Sequence, residues 1–157
     1  MSLSIRPITD RAFIGRFTAA QWWGETTTVR GTPITVQEID ARGLYDGDTL
    51  LSAATLRDVS GVPTILTIGA IARGRSAGGE LIEALAEEYR ARGRDRLHAV
   101  LPNDHLEGLL YMQRRGFRFF AVWPGALDVL RETQPAMPLI GRRGIRLHDV
   151  IELERGL

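Results

Sequence analysis

Residues 64–92, TILTIGAIARGRSAGGELIEALAEEYRAR, change their periodicity in mid-run, and that change decides the fold. Thr64 to Ala72 is apolar and β-branched, the composition of a strand. From Gly78 to Arg92 the residues Leu81, Ile82, Leu85, Ala86 and Tyr89 recur at three- and four-residue steps, while Glu80, Glu83, Glu87, Glu88 and Arg90 fall mostly outside that face. This spacing predicts an amphipathic helix. Between the two lies Arg73-Gly74-Arg75-Ser76-Ala77-Gly78-Gly79. Small residues expose consecutive backbone amides, and a helix N-terminus leaves its first N–H groups unpaired with partial positive charge. With Arg73 and Arg75 beside it, the turn reads as an anion site suited to phosphate.

Two familiar phosphate loops fit this turn poorly. A P-loop ends in Gly-Lys-Ser/Thr, which is absent here, and a dinucleotide fingerprint follows the first strand of a parallel βαβ unit. The strands before this turn are instead predicted to form an antiparallel meander. One runs from Ile34 to Asp40 and on toward Leu44, the next from Thr49 to Arg57 after the Asp46-Gly47-Asp48 turn, and the third from Thr64 after Ser60-Gly61-Val62-Pro63. Upstream, Leu3 to Ile8 alternates as an edge strand, with a proline that cannot donate to a ladder. Asp10 is placed to cap a helix from Arg11 to Trp23.

Downstream of Gly93, Leu97 to Leu101 is a short apolar run that reads as a buried strand, ended by Pro102. Asn103 or Asp104 is expected to cap a helix from His105 to Arg115, closed by Gly116. Phe117 to Trp123 reads as a strand, Ala126 to Glu132 as a short helix, and Val150 to Leu153 as a last strand. The whole, residues 1–157, reads as one α+β domain.

The 157 residues carry 20 basic and 19 acidic side chains, so no global field argues for nucleic acid or an anionic membrane as partner. With no cysteine, the chain is free of disulfides and thiolate metal sites and suits a reducing cytoplasm. The three histidines, His98, His105 and His148, lack metal-ligand spacing, so no metal is expected. No stretch approaches the roughly 18 apolar residues of a membrane span. His98, in the predicted central strand, is expected to be a hydrogen-bonded core histidine, and Arg30 a solvated loop charge.

In the order of its elements and in this turn the chain resembles the GNAT superfamily of acyl-CoA-dependent N-acetyltransferases. The turn of that family reads Arg/Gln-x-x-Gly-x-Gly/Ala; Arg73 and Gly78 match it, with Ser76 in place of the first glycine. The stretch NDHLEGLLYMQRRGFRFFAV is similar to a segment of small bacterial GNAT proteins through Asn103, Asp104, Leu106, Leu109, Gln113, Arg114, Arg115, Gly116 and Phe117. Trp23-Gly24 and the tail GRRGIRLHDVIELE extend the likeness over nearly the whole chain.

The resemblance implies a three-layer α+β fold, with a central mixed, mostly antiparallel sheet of six to seven strands flanked by helices. It implies acetyl-CoA as cosubstrate and an amine as acceptor; separately, exposed sheet edges leave room for a homodimer. The pyrophosphate would rest on Arg73, Gly74, Arg75, Ser76, Ala77, Gly78 and Gly79. Pantetheine would pair with the backbone of Leu66, Ile68 and Ala70, and Asn103 would either contact it or cap the next helix. Trp23 and Glu25 are the candidates for the acceptor side.

Two side chains depart from the family pattern. Met112 stands where a tyrosine often protonates the leaving thiolate, which leaves Tyr111, one residue away and about 100° round the helix, as the candidate acid. Thr64 stands where relatives carry a glutamate, leaving Glu25, Asp104, His148 and Asp149 as alternative bases. These departures support an alternative reading, a protein that binds acyl-CoA as a sensor without efficient transfer.

Overall fold

Two-residue turns set the pairing of most of the early strands. In the computed structural model, which describes residues 2–71 and 78–157, Ser60 and Gly61 both take positive φ, 53° and 80°. That geometry matches the twist of the strands it joins, β5 (Thr49–Val59) and β6 (Val62–Ala70). Before them, β1 (Leu3–Ile8) and β4 (Asp40–Asp46) pair antiparallel. After helix α2 (Gly78–Ala91) come β7 (Arg96–Pro102), α3 (Leu106–Arg114), β8 (Arg118–Trp123), α4 (Ala126–Arg131) and β9 (Val150–Gly156). The seven-stranded sheet runs β1-β4-β5-β6-β7-β9-β8, and only the β6–β7 pair is parallel. β1 and β8 form its edges, and β8 leaves Phe119, Phe120 and Val122 exposed.

Helices cover both faces, giving three layers. On one face Leu81, Ile82 and Leu85 of α2 and Met112 of α3 pack against Leu56, Ile65, Ala99 and Leu153 of the sheet. On the other, Ile14 and Trp22 of α1 (Arg11–Trp22) and Leu127 and Leu130 of α4 pack against Leu66, Val100 and Val150. Each fully buried Leu or Ile contributes about 1.5–3 kcal/mol relative to exposure. Asp10 caps α1 as expected, accepting from the N–H groups of Ala12 and Phe13. No helix among the described residues is long and apolar enough to cross a membrane.

The region 26–44 departs from the sequence expectation. The strand expected from Ile34 is divided: a separate hairpin, β2 (Thr26–Val29) and β3 (Thr32–Thr35), precedes a short turn of 3-10 helix and then β4. Its two-residue turn is Arg30-Gly31, with φ 48° and 79°. An arginine rarely adopts positive φ, and the signal expected at such a turn is Asn-Gly or Asp-Gly. What holds Arg30 there is its side chain. The guanidinium donates to Glu152 at 2.5 Å and to the Val59 carbonyl at 2.7 Å, so it is an anchor rather than a solvated charge.

Glu152 is fully buried and also receives Trp123 Nε1 at 3.0 Å, and it lies 2.5 Å from His98 Nδ1. His98 is the core histidine expected, with its other nitrogen 2.8 Å from Glu154. Burial pushes the Glu152 carboxyl up, but hydrogen bonds from His98 and Trp123 and the Arg30 charge outweigh it and hold it below the usual carboxylate range. A depressed carboxylate stabilises the fold above its unfolded pKa and loses that contribution as pH falls through the lower folded value. Two outcomes are expected from urea unfolding. Arg30→Met loses about 3 kcal/mol at neutral pH, the low end for a broken buried pair. Glu152→Gln flattens the fall in stability below pH 4.5, the ordinary value of this carboxyl.

Candidate functional site

The sheet opens where its one parallel pair ends. β6 and β7 are paired only at Thr64↔His98 and Ile65↔Ala99. Beyond that point β7 stays with β9 and β6 stays with β5, so the facing edges of β6 and β7 part. The parting coincides with a bulge: Ile65 opposes Leu56 and Thr67 opposes Thr55, so Leu66 has no partner in β5. The Leu66 carbonyl instead accepts from Gln21 Nε2 at 3.0 Å and Trp22 Nε1 at 2.9 Å, both at the end of α1. A buried carbonyl must find donors, and here α1 supplies them.

The resulting cleft, about 350 Å³, has Ile68, Gly69 and Ala70 on one wall and Leu101, His105, Tyr111 and Met112 on the other, with Gly78 at one end and Gln21 among its lining residues. Of the anion-binding turn, Arg73, Gly74, Arg75, Ser76 and Ala77 lie outside the described residues; Gly78 and Gly79 open α2. A Cβ on Gly78 would lie 2.5 Å from the Tyr111 hydroxyl oxygen, so only glycine allows tyrosine and helix to approach this closely. That hydroxyl is buried and has no hydrogen-bond partner among the described residues. Leaving such a group unpaired costs about 1–3 kcal/mol, so water or a bound molecule in the cleft is expected to bond to it. Arg115 stacks over the Tyr111 ring at 5.1 Å and lies across Gly79.

Met112 turns into the core and is 1% exposed. It also forms part of the cleft wall next to Tyr111, which packs against the same core. His105 caps α3, in place of Asn103 or Asp104: its Nδ1 accepts from the Gly108 N–H at 3.1 Å. Burial first, then the Arg142 charge, lowers its pKa against the pull of Asp104 and Glu107, so the ring is neutral with its proton on Nε2.

Asn103 ties β7 to the segment before β9. Its oxygen accepts from the N–H groups of His148 and Asp149, both at 3.1 Å, and its nitrogen donates to Arg146 at 2.9 Å. Asp104 is fully buried and accepts from the Arg142 N–H at 2.8 Å, while Asp149 accepts from the Gly125 N–H at 2.9 Å. Thr64 is buried in the closed part of the sheet and donates to the Val62 carbonyl at 3.1 Å. Trp23 ends α1 in the left-handed region, packing on the second core, and Glu25 lies against Gly15. Neither belongs to the cleft lining.

The sequence reading did not single out Gln21 or His105. A polar residue on the buried face of α1 was the available signal for Gln21. For His105 it was the third position after the strand, where a ring nitrogen replaces the usual cap oxygen. Among the described residues no group of three or more His, Asp or Glu is arranged to hold a metal ion.

No protein-family model matches the chain. It is 23% identical over 137 residues to YxbD, an uncharacterized protein of Bacillus subtilis (strain 168), covering 86% of each chain. It is 25% identical over 87 residues to YdhI of the same organism, so the match spans 55% of this chain and about half, 54%, of that relative. Among solved structures, an IAA acetyltransferase from Bacillus cereus superposes with TM-score 0.75 at 20% identity over 99% of this chain and 100% of its own. A Bacillus subtilis acetyltransferase in complex with CoA gives 0.72 at 17% identity over 99% of both chains. A GNAT family acetyltransferase from Elizabethkingia anophelis with acetyl-CoA bound gives 0.69 at 14% over 99% and 98%. With the sheet order, the parted parallel pair and the helices on both faces, these likenesses identify the fold of this chain as that of the GNAT superfamily.

Proposed function

We propose that the protein is an N-acetyltransferase that moves an acetyl group from acetyl-CoA to an amine. The observation that carries this reading is the unpartnered Tyr111 hydroxyl, buried in a cleft between an open strand edge and the start of α2. An extended amide chain such as pantetheine suits the free backbone of β6 from Ile68 to Ala70. Phosphate suits the N-terminus of α2 at Gly78 and Gly79, with Arg115 adding charge across it. The neutral His105 offers an Nε2 proton as a hydrogen-bond donor to a carbonyl. The solved structures with CoA or acetyl-CoA bound support the same class of substrate.

In this reading the amine nitrogen attacks the thioester carbon, the C–N bond forms and the C–S bond breaks. The nitrogen gives up one proton to water, and the departing sulfur takes one from Tyr111, which recovers it from solvent. Holding both reactants in line supplies most of the rate, and the tyrosine supplies the proton transfer. A second reading, binding of acyl-CoA without turnover, draws on the carboxylates. Asp104 and Asp149 are engaged elsewhere, and Glu107 is paired with Arg143 at 2.5 Å.

Isothermal titration with CoA and release of thiol from acetyl-CoA over a panel of amines separate the two readings. Saturable CoA binding with thiol release supports transfer, binding with no release supports the sensor, and no binding excludes both. Tyr111→Phe is expected to lower kcat about 100-fold, the low end for loss of a general acid, while leaving KM for acetyl-CoA within about twofold. Gly78→Ala, which drives a methyl group against the tyrosine hydroxyl, is expected to weaken CoA binding about tenfold, equivalent to an overpacking cost of about 1–2 kcal/mol. Circular dichroism checks that each variant keeps its fold.

A further inference from the structure

We propose that Gln21 binds the acceptor, and that the acceptor is a primary amine on an aromatic or similarly flat apolar body with no carboxylate beside the nitrogen. This rests on the acyl-transfer reading above and goes on to name the substrate class. Gln21 is 8% exposed and lines the cleft. Its Nε2 donates to the Leu66 carbonyl at 3.0 Å, which fixes which way round the amide lies. Oε1 is the other arm of that planar group, and no hydrogen bond to it from a described residue is found.

An acceptor oxygen held this way receives one N–H of an amine. It leaves the nitrogen lone pair free to point at the thioester carbon, and it takes no proton itself. Gln21 therefore positions and selects; the proton lost on acylation goes to water.

The body of the acceptor is read from α1. Phe17, one turn before Gln21, has its ring edge 3.6 Å from where a Cβ of Gly69 would stand, and Gly69 is part of the cleft wall. Phe13, a further turn back, stacks on Phe17 with ring centroids 5.6 Å apart and planes 13° apart. Both rings are only partly buried. Phe13, Phe17 and Gln21 stand four residues apart on one face of α1. Phe13 also packs on the second core, so Phe17, against Gly69, is the aromatic surface offered one turn from Gln21, although neither ring is among the cleft-lining residues.

Charge completes the selection. The described lining includes no Arg or Lys, and its one ionised side chain, Glu107, is paired with Arg143. An amino acid acceptor would bring its carboxylate against described lining that holds no unpaired cation, and an unpaired anion is costly to desolvate.

Phenethylamine and phenylalanine differ by that carboxylate alone and serve as the probes, each titrated into the CoA-bound protein and each assayed for thiol release with acetyl-CoA. The expected result is saturable use of phenethylamine, with kcat/KM for phenylalanine lower by about 30-fold or more, and a rise of about tenfold in KM for phenethylamine in Gln21→Leu. CoA affinity of that variant should stay within about twofold, because Trp22 still donates to Leu66. A purely structural role would weaken CoA binding as well. Equal use of phenylalanine, an unchanged amine KM in Gln21→Leu, or CoA binding with no binding of phenethylamine would each overturn the proposal and leave the CoA reading standing. Absence of CoA binding would overturn both. The comparison of the two probes uses the unaltered protein, so it decides even if the variant fails to fold.

Discussion

Leu66 has no partner in β5, and its carbonyl is held by two donors from α1. Much of the site depends on this one substitution of a helix for a strand. A regular β6 would present an unbroken ladder on both edges, and β7 could follow it along its whole length. The bulge bends and twists the strand at the residue after Ile65, where pairing with β7 stops. The cleft is therefore made by main chain, and the side chains around it have only to leave it open. Gly69 and Gly78 do so on two sides.

The opposite half of the molecule is closed by a buried ionic cluster. Arg30, His98, Trp123 and Glu152 come from β7, β8, β9 and the β2–β3 turn, and they meet at one carboxylate. Charged groups are expensive to bury, but here each has several partners, and the cluster fixes the hairpin in a geometry its sequence would not choose. Rigidity at this end and an opening at the other follow from the same sheet.

The fold was legible because its signals are local and repeat. The change of period at residues 64–92, the Asp10 cap and the turns at Gly47 and Ser60-Gly61 each act within a few residues, and each is found in the structure. The Arg30-Gly31 turn was not legible, because the force that holds it comes from Glu152, 122 residues away. The same distinction divides the site. The start of α2 could be read from its change of period, whereas Tyr111 was reached only through the resemblance, on a helix read from its caps. Gln21 could not, since its importance lies in a contact with a strand 45 residues on. Asn103 shows the converse: its position suggested a cap or a ligand contact, and long-range bonds to residues 146–149 engage its side-chain oxygen and one of its amide protons.

A carbonyl oxygen has two lone pairs, and those of Leu66 are both occupied. That residue is thus a stop. An extended molecule sliding along β6 finds its first open main-chain positions only after it, and from Thr67 to the end of the strand at Ala70 there are about 10 Å of backbone at the usual rise per residue. With α2 beginning beyond the far end, the strand has the form of a ruler with a fixed zero: a chain that docked there in the manner proposed would be measured for length as well as for chemistry.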